Sequence, residues 1–546
     1  MGRGTLEITE RFKNMVRKNP PIKSFARLLI VITLISTPAL KCNADDFDLV
    51  YSGYGAQETV SGSLHSLNYK GNYYLIDVGS FMADEGENYP WPDALNPEDI
   101  QAVFITHAHA DHLGRLPLLL HKGYSGPIYM TEVTYDIAMV TLPENVTRTD
   151  LGQERFYYSR HNKGDKRIPV YKDGYDFGRY TVDRDNRIYF EASRPELDEM
   201  GFYFPRSQRE KLQEELKDRI ESQVRIVQPG ETIEVADAKV QSIHTSHMPG
   251  SVMFKFSVAG KDLLFSGDVG GDRSPFLASN PRLDGSVDYL WLEGTYDDVR
   301  DIDAQQQRRD FRSHLGELVE SGYRIVIPAF VVDRTQQVLY EISQGIDEGL
   351  IPDHTPVKVY SSTANEITNL YRGYTEDPRI RDRYFSEKMR PGIFSMPGYE
   401  EPDVNWDSSN PLDLSHGSIG IMSSGMVEHA YSLRALKDYG NDPSTVFYIV
   451  GYQAPGTPGN ALEEGRDLIR LTDGFYEVNA ESYSTDAFSG HADPGQMLDI
   501  YGQMDIGQLF LVHLDKRNVE PLTRFYQNTL DVPTKAPERE ERITLD

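Results

Sequence analysis

The chain has 546 residues, more than one hydrophobic core usually organises, so two or more domains are expected. Its 39% hydrophobic and 26% charged residues, with 33 tyrosines, are those of a globular protein and exclude an extensively disordered one. A formal charge of −28 argues against nonspecific coating of a polyanion by a basic surface, although a local positive groove or bound cations can still hold one.

At the N-terminus, Arg17, Lys18, Lys23 and Arg27 precede a 13-residue apolar run, Leu28–Leu40, and the small residue Ala44 follows. This is the order of a secretory signal peptide, and the run is short for a membrane span. Residues 1–44 are therefore expected to direct export to the periplasm or the exterior, with no stable membrane span after cleavage. An uncleaved N-terminal anchor is the alternative. Initiation at Met15 rather than Met1 would remove Glu7 and Glu10 from the charged region. The single cysteine, Cys42, follows Lys41, where a lipoprotein signal requires a small residue. Cleavage after Ala44 leaves no thiolate, so histidine and carboxylate must hold any metal.

Further along, YYLIDV (73–78) and AVFIT (102–106) read as buried strands, followed by a helix over 112–121. Strands are expected at 240–243, 252–258, 262–266 and 289–292. A second α/β rhythm starts near residue 300: a strand at 324–327, a helix from Arg334, a strand at 357–360, a helix from Ala364, then strands at 419–422 and 446–450. Such alternation implies a mostly parallel sheet covered by helices. Residues 145–230, with a charged helix at 207–223, read as a solvated insertion, and 373–413, rich in Pro, Asp and Asn, as loop.

The densest chemistry is ITHAHADHLGRLP (105–117). A strand ending at Thr106 runs into His107, His109, Asp111 and His112, and alternate side chains of a tight loop can share a metal. His107 and His109 can face one ion, Asp111 and His112 a second. Imidazole and carboxylate without thiolate suit zinc-like ions in a catalytic site. Other strand ends offer His247 in HTSHMPGS and Asp268 in LLFSGDVG, whose carboxylate could bridge two ions. Asp77 in LIDVG could orient a ligand histidine.

DVG, HAHADH, HTSH and SGD in this order resemble the motif set of the metallo-β-lactamase superfamily. The downstream motifs LEGTY, IPAFVVDRTQQVLYEI, MSSGM, VGYQAPGT, FSGHAD and LVH resemble its β-CASP nuclease branch, which includes ribonuclease J and the endonuclease of mRNA 3′-end processing. The resemblance spans about residues 50–520. It implies an α/β fold: a metallo-β-lactamase αββα sandwich with an inserted α/β β-CASP domain. The expected parts are a signal peptide at 1–44, the first part of the sandwich at 45–295, the β-CASP domain at 296–460, and the return to the sandwich at 461–546.

It also implies two divalent ions, with zinc expected: His107, His109 and His247 on one, Asp111, His112 and His513 on the other, and Asp268 between them. Glu293 would partner His491 as general acid, so Asp111, Glu293 and His491 carry the chemistry. Ser423, Ser424, Gly425 and Arg334 would grip substrate phosphate, whereas Arg379, Arg381, Arg383 and Arg390 read as a solvated face. The sequence departs from the branch at Gly294, usually serine, at Asp297 and Asp333, usually glycine, and at Leu514-Asp515, usually Gly-Glu. The implied activity is metal-dependent hydrolysis of phosphodiesters in RNA, or in single-stranded DNA, by attack of a hydroxide held at the two ions. A homodimer is in keeping with the branch. Two other readings stay open: a hydrolase of a small-molecule ester, lactone or phosphodiester, and a non-catalytic nucleic-acid-binding protein. The acidic charge favours the former, and a complete ligand set speaks against the latter.

Overall fold

The computed structural model describes residues 48–81, 91–145, 167–170, 180–182, 188–191, 206–271, 274–300, 303–402, 412–471 and 474–546, with backbone alone at 144–145, 167–191 and 206–212. The apolar run at 28–40 lies outside the described residues.

Two seven-stranded sheets stack face to face. In the first the order is Ile543–Thr544, Val50–Gly55, Leu64–Tyr69, Asn72–Ile76, Ile100–Phe104, Ile128–Met130, Val224–Ile226. In the second it is Thr232–Val235, Ala238–His244, Val252–Val258, Lys261–Phe265, Ser286–Glu293, Asp505–Val512, Thr534–Lys535. The two-residue period of a strand explains the layering. Tyr74, Ile76 and Phe104 of the first sheet meet Phe254, Phe265, Trp291 and Phe510 of the second in an aromatic core. Alternate residues point outward. Leu75 and Val103 pack under the helices Leu116–His121 and Glu132–Asn145, while Leu264, Leu290 and Leu511 pack under Pro494–Tyr501 and Val519–Leu530. The result is the expected αββα sandwich.

A third sheet has six strands, all parallel: Tyr399–Glu400, Val357–Tyr360, Ile419–Met422, Arg324–Pro328, Thr445–Ile449, Glu481–Ser484. Its helices Arg334–Asp347 and Ser362–Glu376 start within two residues of the expected positions. The apolar core runs unbroken from the sandwich helices into this part, and Tyr374 donates to Asp136 at 3.1 Å across the junction.

Three expectations need correction. The helix over 112–121 is two, Ala110–Leu113 and Leu116–His121, because Pro117 and Gly114 interrupt it. Residues 373–413 are not simply loop: Pro378–Tyr384 is a helix capped by Asp377, and Phe385, Ile393, Phe394 and Met396 are buried. Within 145–230 the helix Arg206–Gln223 forms, but Val224–Ile226 is the edge strand of the first sheet.

Candidate metal centre and active site

One edge of the sandwich collects the strand ends. Asp77 follows Asn72–Ile76, His107 to His112 follow Ile100–Phe104, His247 follows Ala238–His244, Asp268 follows Lys261–Phe265, and His513 follows Asp505–Val512. The loop carrying four of these is clasped by backbone. Ser63 N–H donates to the Asp111 carbonyl (2.8 Å), Val78 N–H to His112 (2.7 Å) and Ser80 N–H to Ala110 (2.9 Å). Gly79 is required there, since a Cβ would lie 1.6 Å from the Asp111 carbonyl oxygen. Asp77 and His513 both hold positive φ (61° and 52°), a local cost on the order of 1–3 kcal/mol that the surrounding packing sustains.

The side chains form two donor sets that share Asp268. In the first, the ligand atoms of His107, His109, His247 and Asp268 all lie within 4.8 Å of one another; His107 Nε2 and His247 Nε2 stand 3.7 and 3.6 Å from the same Asp268 oxygen. In the second, Asp111, His112, His513 and the other Asp268 oxygen are similarly grouped. Here His513 Nε2 is 3.4 Å from Asp111, and His112 Nε2 is 3.2 Å from Asp268. Outer partners fix the rings. His112 Nδ1–H donates to Asp77 at 2.7 Å, and His247 Nδ1–H donates to the Gly490 carbonyl at 2.6 Å. In each case Nε2 is left as the inward donor. Asp77 is itself held by Thr106, through its N–H (2.8 Å) and hydroxyl (2.9 Å to the other oxygen).

Electrostatics supports cation binding. Burial holds His107 and His247 well below the usual imidazole range and His109 down at about 4, the neutral form a metal needs. Burial pushes His112 down as well, but Asp268, Asp77 and Asp111 outweigh it and hold the group well above 6.5. His513 is likewise raised, by Asp268 and Asp111 against its burial. Burial would raise Asp111, yet His112 and His513 hold it at about 2. Two buried carboxylates and the half-buried Asp111 thus draw protons onto two histidines in order to balance their charge. His112 Nε2 and one Asp268 oxygen face each other buried, and neither has a hydrogen bond. Divalent cations fit this donor set.

Beside it, His491 Nδ1–H donates to Glu293 at 2.9 Å. Glu293 is fully buried and accepts also from the N–H groups of Val269 and Thr295, both at 3.1 Å. The His491 ring is 4.9 Å from that of His247 and 5.7 Å from that of His513, and its side chain is 22% exposed. Burial lowers His491, but Glu293, then Asp268 and Asp111, push it up to about 9. Thr295, which sequence reading passed over although it stands in LEGTY, bridges this pair to the metal edge. Its hydroxyl lies 3.3 Å from His491 Nδ1 and 3.1 Å from His513 Nδ1.

The residues expected to grip phosphate gather at the C-terminal edge of the third sheet. The Ser424 hydroxyl is engaged in its own turn, accepting from Glu428 N–H at 3.1 Å. Gln453 ties the Gly425 and Gly451 carbonyls together at 2.9 and 3.0 Å. A guanidinium nitrogen of Arg334 donates to the Val450 carbonyl, while its Nε is buried without a hydrogen-bond partner. Burial lowers its pKa. Arg379, Arg381 and Arg390 pair with Asp377, Asp382 and Asp347, and Arg383 meets Gln228, which suits a structural surface.

The departures have physical accounts at two places. A Cβ on Gly294 would meet Leu522 at 2.7 Å and Leu514 Cβ at 3.3 Å, so glycine at 294 makes room for these two leucines. Asp333 (φ 63°) is buried and accepts from Tyr371 at 2.8 Å and from Gln337. Asp297 is exposed, and nothing in the structure explains it.

Three family models match in sequence order: the metallo-beta-lactamase superfamily at 67–305, the Beta-Casp domain at 335–462, and the Zn-dependent metallo-hydrolase RNA specificity domain at 476–533. Ribonuclease TTHA0252 of Thermus thermophilus is 27% identical over 82% of this chain and 89% of its own length. Transcription termination factor FttA of Methanothermobacter thermautotrophicus is 24% identical over 99% of this chain and 78% of its own. Endoribonuclease YSH1 of Kluyveromyces lactis is 23% identical over 86% and 56%. These findings overturn the expectation of export or anchoring through residues 1–44. The relatives are by name ribonucleases and a transcription termination factor, and the FttA match takes in nearly all of the segment read as a leader. An apolar run of 10–14 residues is as much the mark of a short core helix as of a signal, and Glu7 and Glu10 already fitted a leader poorly. Among the described residues no helix is long and apolar enough to cross a membrane.

Proposed function

The chain belongs to the metallo-β-lactamase superfamily, in its β-CASP branch, and from that premise we propose a zinc-dependent ribonuclease in which Asp268 joins two ion sites beside a His491–Glu293 proton donor. Metal-dependent hydrolysis of RNA is supported by its Zn-dependent metallo-hydrolase RNA specificity domain and by the ribonuclease and endoribonuclease among its relatives. The observation that carries the residue-level reading is the convergence of two four-donor sets on one carboxylate, 402 residues separating Asp111 from His513.

In this reading His107, His109 and His247 hold one ion and Asp111, His112 and His513 the other, with Asp77 orienting His112. Bound cations supply Lewis acidity toward phosphate and activate the attacking water. The chain's own residues do the rest. Glu293 keeps the His491 ring turned so that Nε2 is free to protonate the leaving oxygen. Cations neutralising Asp268 and Asp111 would bring His491 from about 9 back toward neutrality, where general acids act best. Arg334, with a buried unpaired Nε, offers a guanidinium to a phosphate of the same strand, and the Ser423–Gly425 backbone lies at the same sheet edge. The engaged Ser424 hydroxyl speaks for backbone rather than hydroxyl contacts there.

The test is cleavage of 5′-labelled single-stranded RNA and of DNA of the same sequence, with metal content measured alongside. His109→Ala should lower bound metal and abolish RNA cleavage. His491→Ala should retain metal and lose about 10²–10⁴-fold in kcat. Turnover of a lactone with RNA left intact, or metal-replete H491A at full rate, contradicts the reading.

A further inference from the structure

Behind the second ion site the interior of the sandwich holds polar groups that the mechanism above does not use, and they lead to Asp77 and His112. His65 sits on the strand Leu64–Tyr69, opposite Ile76 and next to Gly53 of the neighbouring strand, and is 5% exposed. Its Nδ1 is 2.9 Å from the Tyr51 hydroxyl and its Nε2 is 3.2 Å from the Ser63 hydroxyl. Ser63 donates to Asp77 Oδ2 at 3.4 Å, the same oxygen that takes His112 Nδ1–H at 2.7 Å. At the other end, Gln57 Nε2 donates to the Tyr51 oxygen at 3.4 Å. Ser63, His65, Asp77, His112, Asp268 and His513 line one small cavity.

Hydrogen-bond direction follows from the ends inward. A carboxylate can only accept, so Ser63 spends its proton on Asp77 and its oxygen must receive one. That makes His65 the Nε2–H tautomer, with Nδ1 accepting from Tyr51, whose phenol burial keeps protonated. The Tyr51 oxygen then receives the Gln57 amide. Donation runs one way from Gln57 through Tyr51, His65 and Ser63 to Asp77, and Asp77 accepts again from the other side, from His112 Nδ1–H. Such a buried chain is cooperative, and reversing one member leaves another unsatisfied.

We propose that His65 is a positioning residue: through Ser63 it fixes the Asp77 carboxylate, and thereby sets the ring orientation and basicity of His112 toward the second ion. The proposal rests on the reading of His112 as a ligand. Outer partners of this kind are commonly worth 10–100-fold in metal affinity. His65→Phe keeps a ring in the aromatic core but deletes both nitrogens. His65→Gln retains an acceptor and a donor on one carbon, as the imidazole does across Cε1.

The experiment is Co²⁺ titration of the metal-stripped full chain against a chromophoric chelator. It is read together with the visible Co²⁺ absorption spectrum, the thermal midpoint of the metal-free form, and kcat and KM on labelled RNA. H65F should fold, bind the first ion normally, bind the second at least about 10-fold more weakly with an altered spectrum, and lose kcat with KM unchanged. H65Q should stay within about threefold of the parent, and Ser63→Ala should match H65F, with the double variant no worse than either. If H65F does not fold, Ser63→Ala and Tyr51→Phe carry the same comparison. Parental second-ion affinity and spectrum in folded H65F or S63A overturn the relay, and so does equal damage in H65F and H65Q. A His112→Ala chain that still binds both ions removes the ligand reading itself. That failure is recognisable because it shows before any His65 variant is made, and it takes the relay with it.

Discussion

At the scale of single residues, the pair Gly294 and Leu514 shows how one position licenses another. The Leu514 side chain is fully buried in one cluster with Leu522, and a Cβ at 294 would strike Leu522 at 2.7 Å while coming within 3.3 Å of Leu514 Cβ. Gly294→Ser should therefore destabilise the fold by about 1–2 kcal/mol through overpacking, and Leu514→Gly alone should cost more, through the cavity it opens. Contacting sites couple, so the double variant should fall short of the sum by roughly 1 kcal/mol; denaturant unfolding of the four chains checks this, and strict additivity counts against the compensation. The metal-edge residues were the most legible part of the sequence. HAHADH packs four candidate donors into six positions, and so short a spacing leaves little freedom in where they point. Thr295, Ser63 and His65 were not legible, because a hydroxyl or a lone histidine acquires its role from partners that include ones 14 to 218 residues away.

At the scale of elements, strands and their faces could be read because burial imposes a two-residue alternation, as in Leu290, Trp291 and Leu292. The helix Pro378–Tyr384 was missed because charged residues dominate its seven positions, although Asp377-Pro378 is a start signal in its own right. The helix Arg334–Asp347 begins with a less obvious feature. Asp333 is buried at its N-terminus, and burial, against Tyr371 and Gln337, raises its carboxyl from 3.8 to about 6. A folded-state pKa above the unfolded one means that the fold holds this proton more tightly. Its contribution to stability is therefore full below about pH 4, declines as pH rises toward 6, and stays low above that. Asp333→Asn should raise stability at pH 7.5 by about 1–2 kcal/mol and flatten the profile between about pH 4 and pH 6. Tyr371 can still donate to the amide oxygen, and the buried, unpaired Oε1 of Gln337 can receive the new N–H once that side chain turns over. Urea unfolding across this range decides it; an unchanged slope places the pH dependence elsewhere.

At the scale of the whole molecule, both sheets of the sandwich close on one electrostatic problem. Asp77 and the His107–His112 loop come from the first sheet, Asp268, Glu293 and His513 from the second, and Asp77, Asp111 and Asp268 meet there with histidines as their ion-pair partners. In the metal-free chain His112 and His513 balance them by holding protons, both being raised above the ordinary imidazole range. Loading divalent ions should expel those protons, about one to two per pair of ions at neutral pH, and apparent affinity should rise with pH until both histidines are neutral. The same linkage makes the ions part of the fold: at free metal about 1,000-fold above Kd each contributes about 4 kcal/mol, so a chelator should lower Tm and zinc or cobalt should restore it. Calorimetric titration in buffers of different ionisation enthalpy counts the released protons directly. His112→Asn should release fewer while leaving the His107, His109 and His247 set able to bind. Metal uptake with no proton release at pH 7, and unchanged Tm on chelation, would mean that these carboxylates are balanced by something other than the two histidines.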